Sequence, residues 1–226
     1  MPFIDWTILL LIPGLVMGSW AQNKLKKAYD KYSNVPTKTG FAASTVAADM
    51  LLRNGNDKVT VHPVQGLMTD HYNPLNETLN LSDGVYGSPS VAALGIAAHE
   101  TGHAMQRKDG YFFLIVRMLL APLVTIAQAL STPVMLAALI FTWPIIFKIG
   151  IWIFAVTTAF SLVSLPVEFN ASRRAIKMLR AGGYISEDEV PAVREVLTAA
   201  ALTYVAGAVS SLLQLIRLII LSKRNK

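Results

Sequence analysis

The sequence predicts an α-helical integral membrane protein with about four transmembrane helices and one small α+β domain. Three observations carry this. Of the 226 residues, 53% are hydrophobic and only 15% are charged, against about 25% charged in an ordinary soluble domain. The mean hydropathy is +0.46, too apolar for a disordered chain or a typical cytosolic enzyme. The apolar residues also gather into runs that suit a bilayer crossing, which takes about 20 residues. With no cysteine, a disulfide framework, a thiolate metal site and a cysteine nucleophile are excluded. The net charge of +6 is spread over membrane-flanking segments. It therefore reads as topology, and no nucleic-acid partner is expected.

Residues 1–22 are expected to form a transmembrane anchor. Trp6 to Ala21 is mostly apolar, and a spanning helix tolerates the interruption at Pro13-Gly14. A cleaved signal peptide is the competing reading, with Ser19-Trp20-Ala21 as its small-x-small site. Such a peptide begins with positive charge, whereas Asp5 is the only charged side chain before Trp6. Residues 23–110 form the polar α+β domain, opening with Lys24, Lys26, Lys27 and Lys31. Thr39 to Asn54 reads as a short amphipathic helix closed by Gly55. Val59–His62 and Thr78–Leu81 alternate as strands do, and turn-formers at Asn73-Pro74 and Ser82-Asp83-Gly84 bound the second. Ser88-Pro89 suits an N-cap and first helical residue, opening an alanine-rich helix that runs to about Lys108.

Residues 111–167 are almost wholly apolar, with only Arg117 and Lys148 charged. That length suits a transmembrane hairpin of two helices of about 25 residues each, turning between Thr132 and Pro144. Residues 168–190 form a basic segment with Arg173, Arg174, Lys177 and Arg180. Residues 191–226 form a C-terminal transmembrane helix opened by Pro191. Its uncharged core is Val196–Ile216, and a basic tail, Lys223-Arg224-Asn225-Lys226, follows.

The chemistry lies in His99-Glu100-Thr101-Gly102-His103, an HExxH motif inside the alanine-rich helix. Residues four apart share a helix face, so both imidazoles can reach one zinc ion. Glu100, beside the first ligand, is placed to take a proton from a water that the metal acidifies. With only 4 His in the chain, the motif has a chance expectation of about 0.002 occurrences. The competing reading is two helix histidines that merely pack. His62 reads as a surface strand residue and His71 as a turn-stabilising side chain. A catalytic zinc wants three protein ligands and an open position, and no third histidine follows closely. Among the carboxylates, Glu77 falls in a turn, and Glu187, Glu189 and Glu195 read as a solvated helix start. Glu168 ends a long apolar run, where a carboxylate is costly unless paired or metal-bound. It is the candidate third ligand; the alternative is an interfacial glutamate paired with Arg173 or Arg174. Two spans between His103 and Glu168 return the chain to the same membrane side, as this requires. The α+β domain is thus expected to be zincin-like.

These residues resemble the YugP-type neutral zinc metallopeptidases, small bacterial membrane zinc proteases. The resemblance rests on Thr69-Asp70-His71-Tyr72-Asn73-Pro74, Ala97-Ala98-His99-Glu100 with Gly102-His103-Ala104 and Gln106, Pro166-Val167-Glu168-Phe169, Ala171-Ser172-Arg173-Arg174-Ala175 and Leu202-Thr203-Tyr204-Val205-Ala206. The chain is more distantly similar to the membrane gluzincins, such as the prenyl-protein endopeptidases. The resemblance implies a zinc metalloendopeptidase, with zinc on His99, His103 and Glu168 and Glu100 as general base. It also implies peptide or membrane-protein substrates, with the strand at Leu79–Leu81 as a candidate edge for an extended peptide. Two departures stand out. Ser172 replaces the Asp that the distant relatives carry four residues after the third ligand, and Asn170 stands where the family is expected to have Asp.

Tyr204 is a candidate oxyanion donor, or equally an interfacial aromatic anchor. Arg173 and Arg174 fit positive-inside anchoring better than binding of a substrate carboxylate. The lysines after the first span put residues 23–110 in the cytoplasm of a bacterial cell, in a multi-pass protein. Four spans place the basic tail outside, against the same rule; the length of Val196–Ile216 favours them nonetheless. The rival functions are a zinc membrane protein without peptidase activity, either a regulator or a hydrolase of non-peptide substrates, and a metal-free transporter or scaffold.

Overall fold

Most elements pack against the alanine-rich helix. In the computed structural model, which describes residues 6–140 and 144–224, a 3-10 turn over Trp6–Leu10 leads into helix α1 (Leu11–Tyr32). There follow α2 (Ala43–Arg53), β1 (Thr60–Val64), β2 (His71–Asn73), β3 (Thr78–Ser82), the one-turn α3 (Asp83–Tyr86) and α4 (Val91–Lys108). Three long helices complete the chain: α5 (Phe112–Ile140), α6 (Pro144–Ala181) and α7 (Val190–Arg224).

Helix α4 is alanine-rich because it is enclosed. Ala92, Ala93, Ala97, Ala98 and Ala104 are all buried. A helix covered on most sides has no polar face to spare, and small side chains let its neighbours come close. One core joins it to Val46 and Met50 of α2, Leu79 and Leu81 of β3, Leu179 of α6 and Val193 of α7. Its N-cap is Ser90, whose Oγ accepts from the Ala93 N–H. Ser88, the cap the sequence suggested, instead bonds Ser90 through its own hydroxyl. The Pro89 carbonyl is taken by Thr37, so the helix opens two residues later than expected.

The sheet order is β1-β3-β2, with β1 parallel and β2 antiparallel to β3. This corrects two expectations. The His71–Asn73 stretch, read as part of a turn, is a short strand. Its entry is held by Asp70, which accepts from the Ser82 N–H and hydroxyl. The Leu79–Leu81 strand is the centre of the sheet and offers no free edge; Leu79 and Leu81 alternate into the core instead. Helix α2 starts four residues later than expected, after Gly40 in the left-handed region at φ +66°.

Three helices among the described residues are long and apolar enough to cross a membrane: Phe112–Ser131, Lys148–Ala181 and Val190–Lys223. The N-terminal segment is not one of them. Its apolar stretch is divided between the 3-10 turn and the first half of α1, and Gln22-Asn23-Lys24 follows within the same helix. It still turns Trp6, Leu9, Leu15 and Val16 outward and packs along α7. A Cβ at Gly14 would stand 2.7 Å from Ser210 Oγ. Of the stretch from Thr132 to Pro144 in which the hairpin turn is expected, residues up to Ile140 belong to α5, and 141–143 lie outside the described residues. The basic stretch from Arg173 to Arg180 is no separate segment, because α6 continues unbroken through Pro166 and Glu168 to Ala181.

Glu189, expected in a solvated stretch, is buried. Its carboxylate accepts from the Ser186 N–H and hydroxyl and from the Lys38 N–H, at 2.7–2.8 Å. Burial alone would raise its pKa, but these donors outweigh burial and hold it below the ordinary 4.5. A depressed folded-state pKa adds stability above the unfolded value and loses it as pH falls through the folded one. Glu189→Gln is therefore expected to cost about 1–3 kcal/mol at neutral pH. It should also flatten the loss of stability below about pH 4.5, read by denaturation at several pH values.

Candidate metal centre

Helices α4 and α6 approach closely at Gly102, where a Cβ would lie 2.7 Å from the Ala171 carbonyl oxygen. Glycine at that place in the HExxH motif brings the two backbones together, and the side chains on either side meet. His99 Nε2 lies 3.1 Å and His103 Nε2 3.6 Å from Glu168 Oε2. The two imidazoles stand edge to face, with centroids 4.7 Å apart. One ligand atom from each of the three residues falls within 4.8 Å of the others. A tetrahedral zinc ion with bonds of about 2.0–2.2 Å separates its ligand atoms by about 3.3–3.5 Å. The two measured distances bracket that value, so the donor set fits zinc.

The surroundings orient the candidate ligands. Gln106 Nε2 donates to the Val167 carbonyl at 2.8 Å and to Asn170 Oδ1 at 3.0 Å, which leaves its Oε1 as acceptor, 3.0 Å from His103 Nδ1. A neutral His103 then carries its proton on Nδ1 and turns the Nε2 lone pair toward Glu168. His99 Nδ1 is 3.1 Å from Ser172 Oγ, so the serine takes the place on the ring that an aspartate could fill. Asn170 Oδ1 accepts from both Gln106 and Arg174 Nε, which gives the second departure a structural part.

The charges point the same way. Glu168 is 1% exposed, and its outer oxygen Oε1 is held by Arg117 at 2.6 Å. The expected alternative partners are elsewhere: Arg174 pairs with Asp109, and Arg173 has no ion pair among the described residues. Arg117, one of the two charges in the apolar stretch 111–167, thus points into the site. Burial raises the pKa of Glu100 against the pull of the two histidines. Burial would lower that of His103, but Glu168 and Glu100 outweigh it and lift the value. Both shifts mark a half-buried cluster rich in negative charge, which a dication would relieve.

Glu100 accepts from the Tyr72 N–H at 2.9 Å through Oε2. That N–H points away from β3, so the outer edge of β2 borders the HExxH helix. Tyr204, on α7, stands near enough to Glu168 to interact with it and is 38% exposed. His62 and His71 lie outside the cluster. His62 bonds Thr60 on the exposed strand β1, and His71 bonds the Thr69 carbonyl and Asn80. Arg117, Tyr72 and Asn170 gained no role from the sequence. Arg117 did carry a signal, as one of two charges in a long apolar run.

Against known proteins, residues 7–223 match the model of the family described as "Putative neutral zinc metallopeptidase". The chain belongs to this family. It is 38% identical over 214 residues to the Bacillus subtilis (strain 168) protein named "Putative membrane protease YugP", covering 95% of each chain. No solved structure matches. Zinc is thus the cofactor of the family, and among the described residues the His-His-Glu cluster is a group that could hold it.

Gly102→Ala should weaken zinc binding, measured by competition with a chromophoric chelator. It should also cost about 1–3 kcal/mol of stability through overpacking. Gly95→Ala, whose Cβ would meet Val193 Cγ1 at 3.4 Å, should leave zinc affinity near wild type.

Proposed function

We propose that this chain is a membrane-embedded zinc metalloendopeptidase of the gluzincin type. His99, His103 and Glu168 are its metal ligands and Glu100 is its general base. The convergence of the three donor atoms on one point, beside Glu100, carries the reading. Bound zinc supplies Lewis-acid polarisation of a carbonyl and acidification of water. Glu100 takes the proton of the attacking water and passes it to the leaving amine; the Tyr72 N–H fixes one of its oxygens and leaves the other for this work. Arg117 holds Glu168 Oε1, so that Oε2 alone faces the histidines. The Tyr204 hydroxyl donates to the developing oxyanion. The Leu79–Leu81 strand expected from sequence to take an extended peptide has both edges covered, by β1 and β2, and does not take the substrate.

The three apolar helices cross the bilayer and the N-terminal segment lies against α7 as a fourth apolar element. The lysines of α1 and the basic face of α6 put the site on the cytoplasmic side.

Two variants test this reading. Glu100→Gln should retain zinc and lose about 10²–10⁴-fold in proteolysis of casein. Glu168→Ala should lose zinc as well, read by metal analysis of the purified protein. Equal cleavage by wild type and Glu100→Gln removes the mechanism, and undiminished zinc in Glu168→Ala removes the third ligand.

A further inference from the structure

Beside the metal centre, α6 and α7 enclose a second feature that the hydrolytic chemistry does not use. It is a cavity of 730 Å³, with Arg173, Lys177 and Arg194 on its walls and Phe169, Ile176 and Leu197 as its apolar lining. A fourth cation there, Arg180, is bridged to Glu187 at 2.8 Å. Arg173, Lys177 and Arg194 have no hydrogen bond or ion pair among the described residues. Three unpaired cations around one concave space repel one another unless an anion sits between them.

The place of the cavity along the helices identifies the anion. Arg173 follows the apolar run that ends at Val167 by about two turns of α6, and Arg194 just precedes the apolar run of α7. The cations therefore stand at headgroup level if these helices span. The opposite end opens toward the spans. Phe169 is 46% exposed and Leu162, two turns back on the same face of α6, is 48% exposed. On α7 the face of Ala201 continues to Leu212, which is 42% exposed. The groove is thus cationic at one end and apolar at the other, in the order of a phospholipid. Substrate carboxylates would satisfy the cations, but they would not account for the apolar strip leading into the membrane.

We propose that the α6–α7 groove is a binding site for one anionic phospholipid, its phosphate among Arg173, Lys177 and Arg194 and its acyl chains over Phe169 toward Leu162 and Leu212. Basic pockets between spanning helices take anionic headgroups by this chemistry. The site is distinct from the diffuse attraction that any basic flank exerts, because its cations line one cavity. It does not depend on the hydrolase reading.

The full-length protein, delipidated in a nonionic detergent, would be titrated with phosphatidylglycerol and bound lipid counted by native mass spectrometry. Wild type should retain one phosphatidylglycerol in preference to phosphatidylcholine. Each basic residue removed should weaken retention about fivefold, and Arg173→Gln/Lys177→Gln/Arg194→Gln together about a hundredfold. Lys24→Gln/Lys26→Gln/Lys27→Gln removes the same charge from α1 and should change retention less than about twofold, since charge there acts only diffusely. Equal weakening by the two triple variants would overturn the site, as would equal retention of the two lipids. Displacement by inorganic phosphate at the lipid's own concentration would overturn the lipid assignment in favour of a free-anion site. Zinc content and circular dichroism check the fold. If the groove triple variant fails them, Arg194→Gln alone, on the exposed face of α7, carries the same expectation at its fivefold step.

Discussion

The close approach of α4 and α6 is the contact on which the rest depends. The histidines sit on one helix and the carboxylate on another, more than sixty residues away in the chain, as the Gln106–Val167 bond between the same helices spans 61. Only a backbone separation too small for a side chain lets their ligand atoms come within 4.8 Å. Gly102 and the small Ala171 and Ala175 make that separation possible. The two unspecified positions of the HExxH motif are then not equivalent. Thr101 turns its hydroxyl back to the Ala97 carbonyl inside the helix, whereas Gly102 sets the distance to the second helix.

A carboxylate as enclosed as Glu168 must be compensated. The protein does so from three sides: the two imidazoles, and Arg117 reaching in from α5. The imidazoles come from α4, Arg117 from α5 and Glu168 itself from α6, so this cluster forms only when all three helices have docked. This ties the assembly of the hairpin to the completion of the candidate metal centre. It also explains why an arginine is kept in the apolar run that begins α5, where its insertion would otherwise be expensive.

Local rules made some of this legible from sequence. The i, i+4 spacing placed His99 and His103 on one face, and the length of the apolar run brought Glu168 back to their side. Three things escaped for identifiable reasons. β2 has only three residues, too few to establish an alternation, and its pairing with β3 is a tertiary choice. The N-cap was misplaced because Ser88 and Ser90 are equally good caps by type, and the Thr37 contact that takes the Pro89 carbonyl is long-range. Glu189 looked solvated because the donors that bury it come from Ser186 and from Lys38 in a distant loop. In the last two cases a deciding partner, Thr37 or Lys38, was far away in the chain.

Helix α6 runs without a break from the apolar hairpin through Glu168 to the basic wall of the groove. In the proposed orientation it acts as a ruler. The reacting centre is fixed at the height where the hydrocarbon ends, and no loop intervenes to let it swing outward. A peptide bond can be reached only if it lies close to the bilayer surface or can be drawn down to it. Proximity to the lipid, set by the helix's own geometry, thereby becomes a filter on what can be cut, ahead of any side-chain preference.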